Sequence, residues 1–275
     1  MPQDTPMPVL RFDRVGVSFD GVPALADLSF QAFEGESRVI MGATGSGKTV
    51  LMKTALGLQR PDSGTVYVFG QDISRMRERD LFRIRSKIGM LFQESALFDS
   101  LTIEENVSYP LLNQLSIQCP PAEVRPRVEE ALKFVELEGT MEKFPSELSG
   151  GMRRRAAIAR AVVTQPPLVL YDSPTAGLDP ITAQTIMALV VKERDLNKTT
   201  TLLVTYRYQD GSLVANFRYN PDNGQLEPAE NHGGRHGPRT VFMVLREGRL
   251  VFEGSQVELE TSRDPYVSKF VKHRG

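Results

Sequence analysis

The spacing of apolar and polar positions divides the chain into a strand-rich beginning and a mixed remainder. Residues 9–41 alternate apolar and polar side chains in short runs interrupted at Gly21 and Gly35, a pattern that predicts β-strands. From Lys48 the apolar positions follow helical spacing, and residues 64–69 alternate again. The sequence therefore predicts a strand, a glycine-rich loop and a helix in that order.

The middle of the chain is mainly helical in its spacing. Helical periodicity covers residues 75–88 and 102–165 with interruptions at prolines, and strand-like runs return at residues 168–171 and 201–205. We therefore expect a helical lobe, residues 94–165, inserted into an α/β core.

Residues 206–240 follow neither periodicity. Turn-forming residues at 221–224 come after a strand-like run at 213–219, and a polar, glycine-rich stretch follows them. We expect an atypical hairpin followed by a loop. Closer to the C-terminus, two apolar runs flank Glu247-Gly248, which predicts a second hairpin before a short charged helix.

Composition narrows the class of protein. With 275 residues, of which 40% are hydrophobic, the chain can bury a full core, and we expect one domain over residues 1–275. Its 33 basic and 34 acidic residues leave a net charge of -1, which gives no reason to expect a nucleic-acid partner. Cys119 is the only cysteine, no apolar run is long enough to span a bilayer, and the N-terminus does not read as a signal peptide. We expect a cytosolic protein.

A glycine-rich loop carries the strongest chemical signal. Residues 42–49 read GATGSGKT, which fits G-x-x-x-x-G-K-[ST] and lies between an apolar strand and a helix, as that pattern requires. Glycines let successive backbone N–H groups surround a phosphate, Lys48 reaches the β- and γ-phosphate oxygens, and Thr49 supplies a hydroxyl to Mg²⁺. We therefore predict ATP and Mg²⁺ as ligands. The predicted nucleotide-binding residues of this loop are Gly42, Ala43, Thr44, Gly45, Ser46, Gly47, Lys48 and Thr49.

A second element is a buried strand that ends in a carboxylate. Residues 168–171 are apolar, and Asp172 follows them, at a position from which it can hold the Mg²⁺ shell opposite the loop. A strand that ends in aspartate is common, so the phosphate loop upstream is what favours the metal role.

A third motif points to a family. Residues 147–152 read ELSGGM and precede an arginine- and alanine-rich helix, and this segment resembles the signature motif of ATP-binding cassette (ABC) ATPases. The resemblance covers nearly the whole chain, because Gln93, residues 177–179 and Phe19 match the family's Q-loop glutamine, D-loop and adenine-stacking aromatic residue. It implies an α/β fold: a P-loop NTPase (RecA-like) core with an antiparallel β subdomain and an inserted α-helical lobe.

The resemblance also implies partners and site residues. It implies a head-to-tail dimer in which ATP lies between one subunit's P-loop and the signature motif of the other, and a serine with two glycines opening a helix suits a second anion site. The further nucleotide-binding residues it implies are Phe19, Ser149, Gly150, Gly151 and Asp179. The metal-binding residues it implies are Thr49, Gln93 and Asp172.

Two segments resemble one branch of that family more closely. Residues 89–111 and 264–271 are similar to the ATPase of the phospholipid transporters of diderm bacteria, the maintenance-of-lipid-asymmetry or organic-solvent-resistance systems. This implies lipid transport, a position on the inner face of the inner membrane and an integral-membrane permease as partner. Leu97, Phe98 and Leu101 then line the groove that receives a cytoplasmic helix of the permease; ordinary packing of the lobe is the alternative.

Two positions depart from the family pattern. Ser173 stands where the family has the glutamate that polarises the attacking water, and Tyr206 replaces the switch histidine. A serine hydroxyl does not take a proton near pH 7, and a positioned base contributes ~10²- to 10⁴-fold in rate. A phenol can bond a phosphate oxygen but does not shuttle a proton as imidazole does. With Ser173, Tyr206 and Gln93 as the catalytic positions, we hypothesise slow turnover. The alternative is that other groups compensate for the two changes, among them residues 206–208 or Asp210.

Several alternatives stay open from the sequence. One alternative is a homodimer, in which both ATP sites carry Ser173 and Tyr206. The other is a heterodimer with another ABC ATPase, in which the signature motif of this chain completes the ATP site of the partner. The other functional classes are a soluble ABC ATPase outside transport and a non-hydrolysing ATP-sensing regulatory subunit. Soluble members usually join two cassettes or insert a long coiled coil, and this chain shows neither.

Two groups of residues give weaker signals. Arg153, Arg154, Arg155 and Arg160 follow the signature motif, where interface residues and a solvated helix face are equally acceptable readings. His232 and His236 have a spacing that suits metal binding on a helix, but the glycines around them disfavour a helix.

Overall fold

The computed structural model describes residues 7–114, 116–229 and 239–272. Its strands are β1 (Leu10–Phe19), β2 (Val22–Ala32), β3 (Ser37–Gly42), β4 (Ser63–Val68), β5 (Gln71–Asp72), β6 (Ile88–Leu91), β7 (Leu168–Asp172), β8 (Thr200–Val204), β9 (Phe217–Asn220), β10 (Gln225–Pro228), β11 (Thr240–Arg246) and β12 (Arg249–Gly254). Its α-helices are α1 (Lys48–Ala55), α2 (Glu78–Arg85), α3 (Ile103–Asn113), α4 (Pro121–Phe134), α5 (Gly150–Val162), α6 (Pro180–Asn197), α7 (Tyr208–Asn216), α8 (Gln256–Glu260) and α9 (Pro265–Lys272).

The central sheet has the strand order β12-β11-β3-β8-β7-β6. Strands β11, β3, β8, β7 and β6 run parallel, and β12 pairs antiparallel with β11 at one edge. All residues of β3, β7 and β8 are buried, which explains their continuous apolar runs, because parallel strands are covered on both faces. The carboxyl ends of β3, β7 and β8 bring the P-loop, Asp172 and the segment before Tyr206 to the same edge of the sheet.

A second, antiparallel sheet with the order β2-β1-β4-β5 covers helix α1. Phe12 of β1 and Phe30 of β2 stack in it with their ring centroids 4.8 Å apart. Buried residues of both strands join Leu51 and Met52 of α1 in one core that extends to the central sheet. This arrangement holds the helix that follows the P-loop between the two sheets.

Helices α3, α4 and α5 follow β6 and precede β7 in the sequence, and they pack against one another. Val107, Val128 and Ile158, one from each helix, are fully buried in their common core. Helix α3 begins where a capping box forms, because the Thr102 hydroxyl accepts the Glu105 N–H while the Glu105 carboxylate accepts the Thr102 N–H. The predicted α/β core with an antiparallel β subdomain and an inserted helical lobe is confirmed.

The segment 206–240 differs from its prediction in one element. The strand predicted from Leu213 begins only at Phe217, because residues 213–216 complete helix α7. Tertiary packing decides this: Val214 is buried, and its carbonyl accepts a hydrogen bond from the buried Arg194 of α6. The turn at 221–224 lies between β9 and β10 as predicted. His232 and His236 lie outside the described residues.

Within the described ranges, no helix combines the length and apolar character needed to cross a bilayer. The hairpin predicted around Glu247-Gly248 is confirmed by β11 and β12, and the short helix α9 follows near the C-terminus.

Candidate nucleotide-binding site

The P-loop connects β3 to α1 and is closely surrounded by backbone. Gly47 has a φ of 101°, and a Cβ atom there would lie 2.4 Å from the carbonyl oxygen of Ala24. A Cβ atom on Gly42 would lie 2.4 Å from the Ser46 hydroxyl oxygen and 2.6 Å from the carbonyl oxygen of Leu245. At both positions a side chain would displace the loop, so the glycines of the motif are required by packing as well as by phosphate binding.

Lys48 directs its ammonium group across the loop. Its Nζ donates hydrogen bonds to the carbonyl oxygens of Gly42 and Ala43, both at 2.8 Å. Burial lowers the pKa of Lys48, and the nearby carboxylate of Asp172 opposes that shift. A positive charge is thus held in the glycine-rich loop, next to a partly buried negative charge.

Asp172 ends strand β7 and is 7% exposed. Burial raises the pKa of Asp172, and a hydrogen bond from Ser173 and the charges of Lys48 and Arg154 oppose that shift. Thr49 and Gln93 are exposed side chains of the P-loop helix and the Q-loop. A carboxylate, a hydroxyl and an amide oxygen are the oxygen ligands that Mg²⁺ takes, so the residues present fit this ion.

Ser173 turns its hydroxyl towards Asp172. Its Oγ donates to Oδ1 of Asp172 at 3.1 Å, and its backbone N–H donates to the carbonyl of Val204 at 2.8 Å. The backbone at Ser173 is left-handed, with a φ of 50°. Tyr206 follows β8 closely and is 56% exposed. At the position of the family's glutamate there is accordingly a hydroxyl bound to the neighbouring carboxylate.

Asp210 does not have the surroundings of a proton acceptor for water. It is 2% exposed, and its carboxylate accepts hydrogen bonds from the hydroxyls of Thr175 and Thr205, which are each 1% exposed. Burial raises the pKa of Asp210, and the two hydroxyls and Arg207 oppose that shift. A carboxylate enclosed in this way does not reach attacking water, which argues against Asp210 as the compensating group considered from the sequence.

The signature motif opens helix α5. Ser149 caps the helix, because its Oγ accepts the N–H of Met152 at 3.3 Å. A Cβ atom on Gly151 would lie 2.6 Å from Cγ2 of Thr182, whereas one on Gly150 would meet no atom within 4 Å. Gly151 therefore serves packing within the chain, while Gly150 faces open space.

Asp179 lies at the start of helix α6. Its Oδ1 accepts the N–H groups of Ile181 and Thr182, at 3.1 and 3.0 Å, and so caps helix α6. A hydrogen bond with the Thr182 side chain, together with the capping hydrogen bonds, lowers the pKa of Asp179. A contact between this carboxylate and the nucleotide stays a prediction. Phe19, the predicted adenine-stacking residue, is the last residue of β1 and is 48% exposed.

The arginines of α5 hold the Q-loop. Arg154, which is 6% exposed, donates to the carbonyls of Phe92, Gln93 and Ala176. Arg160 donates to the carbonyls of Ser95 and Ala96 at 2.9 and 2.8 Å. A solvated helix face is therefore the wrong interpretation for Arg154. These two side chains join the signature helix to the loop that carries Gln93.

Tyr266 is a site residue that sequence reasoning missed. Its hydroxyl accepts the N–H of Ala43 at 3.3 Å and donates to the carbonyl of Leu245 at 3.1 Å. It lies in α9, 223 residues from Ala43. The only signal in the sequence was its place in the segment 264–271, which resembled lipid-transporter ATPases without indicating a contact with the P-loop.

A family model described as ABC transporter matches residues 25–176. This span exceeds half of the chain, and the chain belongs to the ABC transporter family. It is an ATP-binding ATPase subunit of that family, as the motifs indicated.

Curated relatives and solved structures agree with this assignment. The "Probable ribonucleotide transport ATP-binding protein mkl" of Mycobacterium leprae (strain TN) is 34% identical over 257 residues, 94% of this chain and 67% of the relative. The "Intermembrane phospholipid transport system ATP-binding protein MlaF" of Haemophilus influenzae is 32% identical over 246 residues, 90% of this chain and 83% of the relative. The chain thus spans about two thirds of the length of the mycobacterial relative.

A solved structure shares the fold over most of this chain. It is the dimeric structure of a post-hydrolysis state of the ATP-binding cassette MJ0796 bound to ADP and Pi, with a TM-score of 0.74 and 29% identity. The match covers 90% of this chain and 98% of that chain.

Proposed function

We propose that the chain is the ATP-binding subunit of a bacterial lipid transporter, with phospholipids as the substrate class. The observation that carries the proposal is a complete P-loop in a chain whose signature motif presents Gly150 to open space. Support for lipids as the substrate class comes from the resemblance of residues 89–111 and from the name of the Haemophilus influenzae relative. One ABC ATPase domain over residues 1–275 contains the helical lobe, 94–165, and the insert, 206–240.

In the proposed site the P-loop holds the ATP phosphates and Phe19 stacks on the adenine. Mg²⁺ neutralises charge on the phosphates when it is bound. Thr49, Gln93 and Asp172 are its proposed protein ligands. Lys48 already lies against the loop carbonyls, so its ammonium needs only to turn towards the phosphate oxygens.

A second ATPase subunit completes the proposed site. ATP binds between the P-loop of one subunit and Ser149, Gly150 and Gly151 of the other, with Asp179 close to the interface. The exposure of Ser149 and Gly150 supports this, because a motif that served only to start α5 would not need an open side at Gly150. The pair is a homodimer or a heterodimer with another ABC ATPase.

An apolar surface beside the Q-loop is the proposed contact with the permease. Phe98 and Tyr109 are 43% and 41% exposed, and their ring centroids are 4.9 Å apart. Leu97 and Leu101 are half-buried next to them. Exposed aromatic groups in contact with each other suit an apolar helix as partner. With a permease as partner, the proposed location of the subunit is the cytoplasm, at the inner face of the inner membrane.

Slow hydrolysis is part of the proposal. Ser173 presents a hydroxyl already bonded to Asp172, and Asp210 is enclosed, so neither supplies the missing base. Tyr206 is exposed at the proposed switch position, where a phenol can contact a phosphate oxygen but does not shuttle a proton as an imidazole does. Binding residues are thus retained while the two hydrolysis positions differ from the family.

A phosphate-release assay tests the slow site. Wild type, Ser173→Glu, Tyr206→His and the double variant are compared at saturating Mg-ATP, with fluorescent-nucleotide binding measured in parallel. We expect turnover to rise by up to ~10²- to 10⁴-fold in the double variant, with ATP affinity changed less than about threefold. Wild-type turnover equal to that of the double variant would refute the slow site. Absence of any wild-type turnover favours the ATP-sensing subunit.

Two further measurements test partner and substrate. Native mass analysis of the complex isolated from its source cell gives the stoichiometry, and a second ATP-binding chain at equal amount establishes the heterodimer. Reconstituted with its permease in vesicles, the complex should hydrolyse ATP faster when phospholipid is the available cargo. Stimulation by ribonucleotides instead would contradict the lipid assignment.

A further inference from the structure

A buried carboxylate joins the two segments that carry the hydrolysis positions. Both the Thr175 and Thr205 hydroxyls donate to one oxygen, Oδ2 of Asp210, each at 2.6 Å. Nε of Arg207 lies 3.8 Å from the other oxygen, Oδ1. Asp210 is on α7, whereas the two threonines follow β7 and β8. Three segments of the chain therefore meet at this carboxylate.

The two threonines lie close in sequence to Ser173 and Tyr206, the two positions that depart from the family pattern. Thr175 is two residues after Ser173, in a turn closed by the hydrogen bond from the Ala176 N–H to the Ser173 carbonyl at 3.0 Å. Thr205 immediately precedes Tyr206, and its Oγ1 also accepts the backbone N–H of Arg207 at 3.0 Å. The Asp210 carboxylate thus connects the turn that contains residue 173 to the turn that contains residue 206.

A shared acceptor makes this linkage sensitive to displacement. If either turn moves away, Oδ2 loses one of its two short hydrogen bonds, and the buried charge is left with less compensation. The link between the backbones of Ser173 and Val204 ties the strand ends but reaches neither side chain. Burial of Asp210, Thr175 and Thr205 excludes direct contact with attacking water.

We propose that Asp210 is a positioning residue for ATP hydrolysis, which sets the relative placement of the side chains at positions 173 and 206 through Thr175 and Thr205. The inference rests on the proposed roles of those two positions. It assigns no proton transfer to Asp210. The carboxylate acts through the two threonines, and the nucleotide-binding loop is not part of the linkage.

Isosteric substitutions test the linkage without removing the buried carboxylate. Thr175→Val and Thr205→Val each delete the hydroxyl that donates to Asp210, at nearly constant volume. Thr205→Val also removes the acceptor of the Arg207 N–H, so Thr175→Val is the cleaner single variant. Thr175→Ser and Thr205→Ser keep the hydroxyl as matched controls. The single and double variants are made in the wild-type background and again in Ser173→Glu, in which we expect faster turnover if wild type is slow. The readouts are kcat, KM for ATP, fluorescent-nucleotide affinity and Tm.

We expect the Val double variant to lower kcat about tenfold, because misplacement of reacting groups by a fraction of an ångström to an ångström costs up to ~10²-fold. KM and nucleotide affinity stay within about twofold, and the Ser variants recover at least half of the wild-type kcat. An unchanged kcat would overturn the proposal. So would a fall in kcat that is accompanied by clear losses of nucleotide affinity and Tm.

The two proposals fail in different comparisons. The slow site is judged by the turnover of wild type against that of the Ser173→Glu, Tyr206→His double variant. The linkage is judged by the turnover of Val variants against that of Ser variants within each background. Fast wild-type turnover with a large Val effect would reject the slow site and retain the linkage. A Val effect absent from both backgrounds rejects the linkage alone.

Discussion

The contrast between the two signature glycines makes a sharp prediction about stability. A Cβ atom on Gly151 would lie 2.6 Å from Cγ2 of Thr182, at the contact between α5 and α6, whereas one on Gly150 would meet no atom within 4 Å. Gly151→Ala therefore overpacks a contact within the chain, and Gly150→Ala does not. The second change instead adds a methyl group where the proposed partner subunit brings its nucleotide.

The size of the effect follows from two opposed contributions. Overpacking of a packed contact costs about 1 to 3 kcal/mol. Alanine in place of glycine in a helix contributes up to about 1 kcal/mol of stabilisation. Taking the middle of the overpacking range, about 2 kcal/mol, and subtracting up to about 1 kcal/mol leaves an expected net loss of about 1 to 2 kcal/mol for Gly151→Ala. This corresponds to a fall in Tm of roughly 2 to 8 °C for a chain of this size. Gly150→Ala should leave Tm unchanged or slightly raised.

Thermal unfolding without nucleotide, at one protein concentration, measures this difference. Thr182→Ser removes Cγ2 but keeps the hydroxyl, so in combination with Gly151→Ala it should restore most of the lost Tm. ATP-dependent dimerisation, followed by size-exclusion chromatography, should be weakened in Gly150→Ala despite its normal Tm. A Gly151→Ala protein as stable as wild type, or one that Thr182→Ser fails to rescue, would show the steric reasoning to be wrong.

Three further outcomes are expected. Lys48→Ala should weaken ATP binding about 10- to 100-fold, because one charge-assisted hydrogen bond is lost. Lys53→Ala on the same helix should leave ATP binding unchanged, and titration with fluorescent ATP measures both variants. Burial raises the pKa of Glu193, so the folded state binds its proton more tightly, and the free energy of unfolding falls as pH rises from about 4.3 to the raised folded-state pKa. In urea titrations at a series of pH values within the neutral-to-acid range, Glu193→Gln should remove that fall, and exposed Glu142→Gln should not. Arg154→Lys should speed hydrogen exchange in the Q-loop, because an ammonium cannot bond three carbonyls in the guanidinium geometry.

Features that depend on residues close in sequence were predicted correctly, and a feature that depends on a distant residue was not. The P-loop helix, the strand ending at Asp172 and the hairpin at Glu247-Gly248 were predicted because their signals lie within a few consecutive residues. The strand predicted from Leu213 was wrong, since the run is held as helix α7 by α6, through the bond from Arg194 to the carbonyl of Val214. Periodicity within nine residues carries no information about that contact.

The sequence by itself determined the family and the P-loop, and it predicted two positions, 173 and 206, at which a hydrolysing residue of the family is replaced. Phosphate-binding chemistry requires particular residues at fixed spacing along one loop, so a linear motif is enough to identify it. It also placed Gly150 and Gly151 together in a motif, without distinguishing them.

Only the tertiary structure decided how these parts are connected. Arg154 binds carbonyls 61 and 62 residues away, Tyr266 reaches Ala43, and Asp210 accepts a hydroxyl 35 residues distant. Contacts of this kind depend on which strand ends and helix faces the sheet brings together, and no spacing along the chain encodes them. The P-loop is therefore visible in the sequence, while the carboxylate that relates positions 173 and 206 is visible only in the fold.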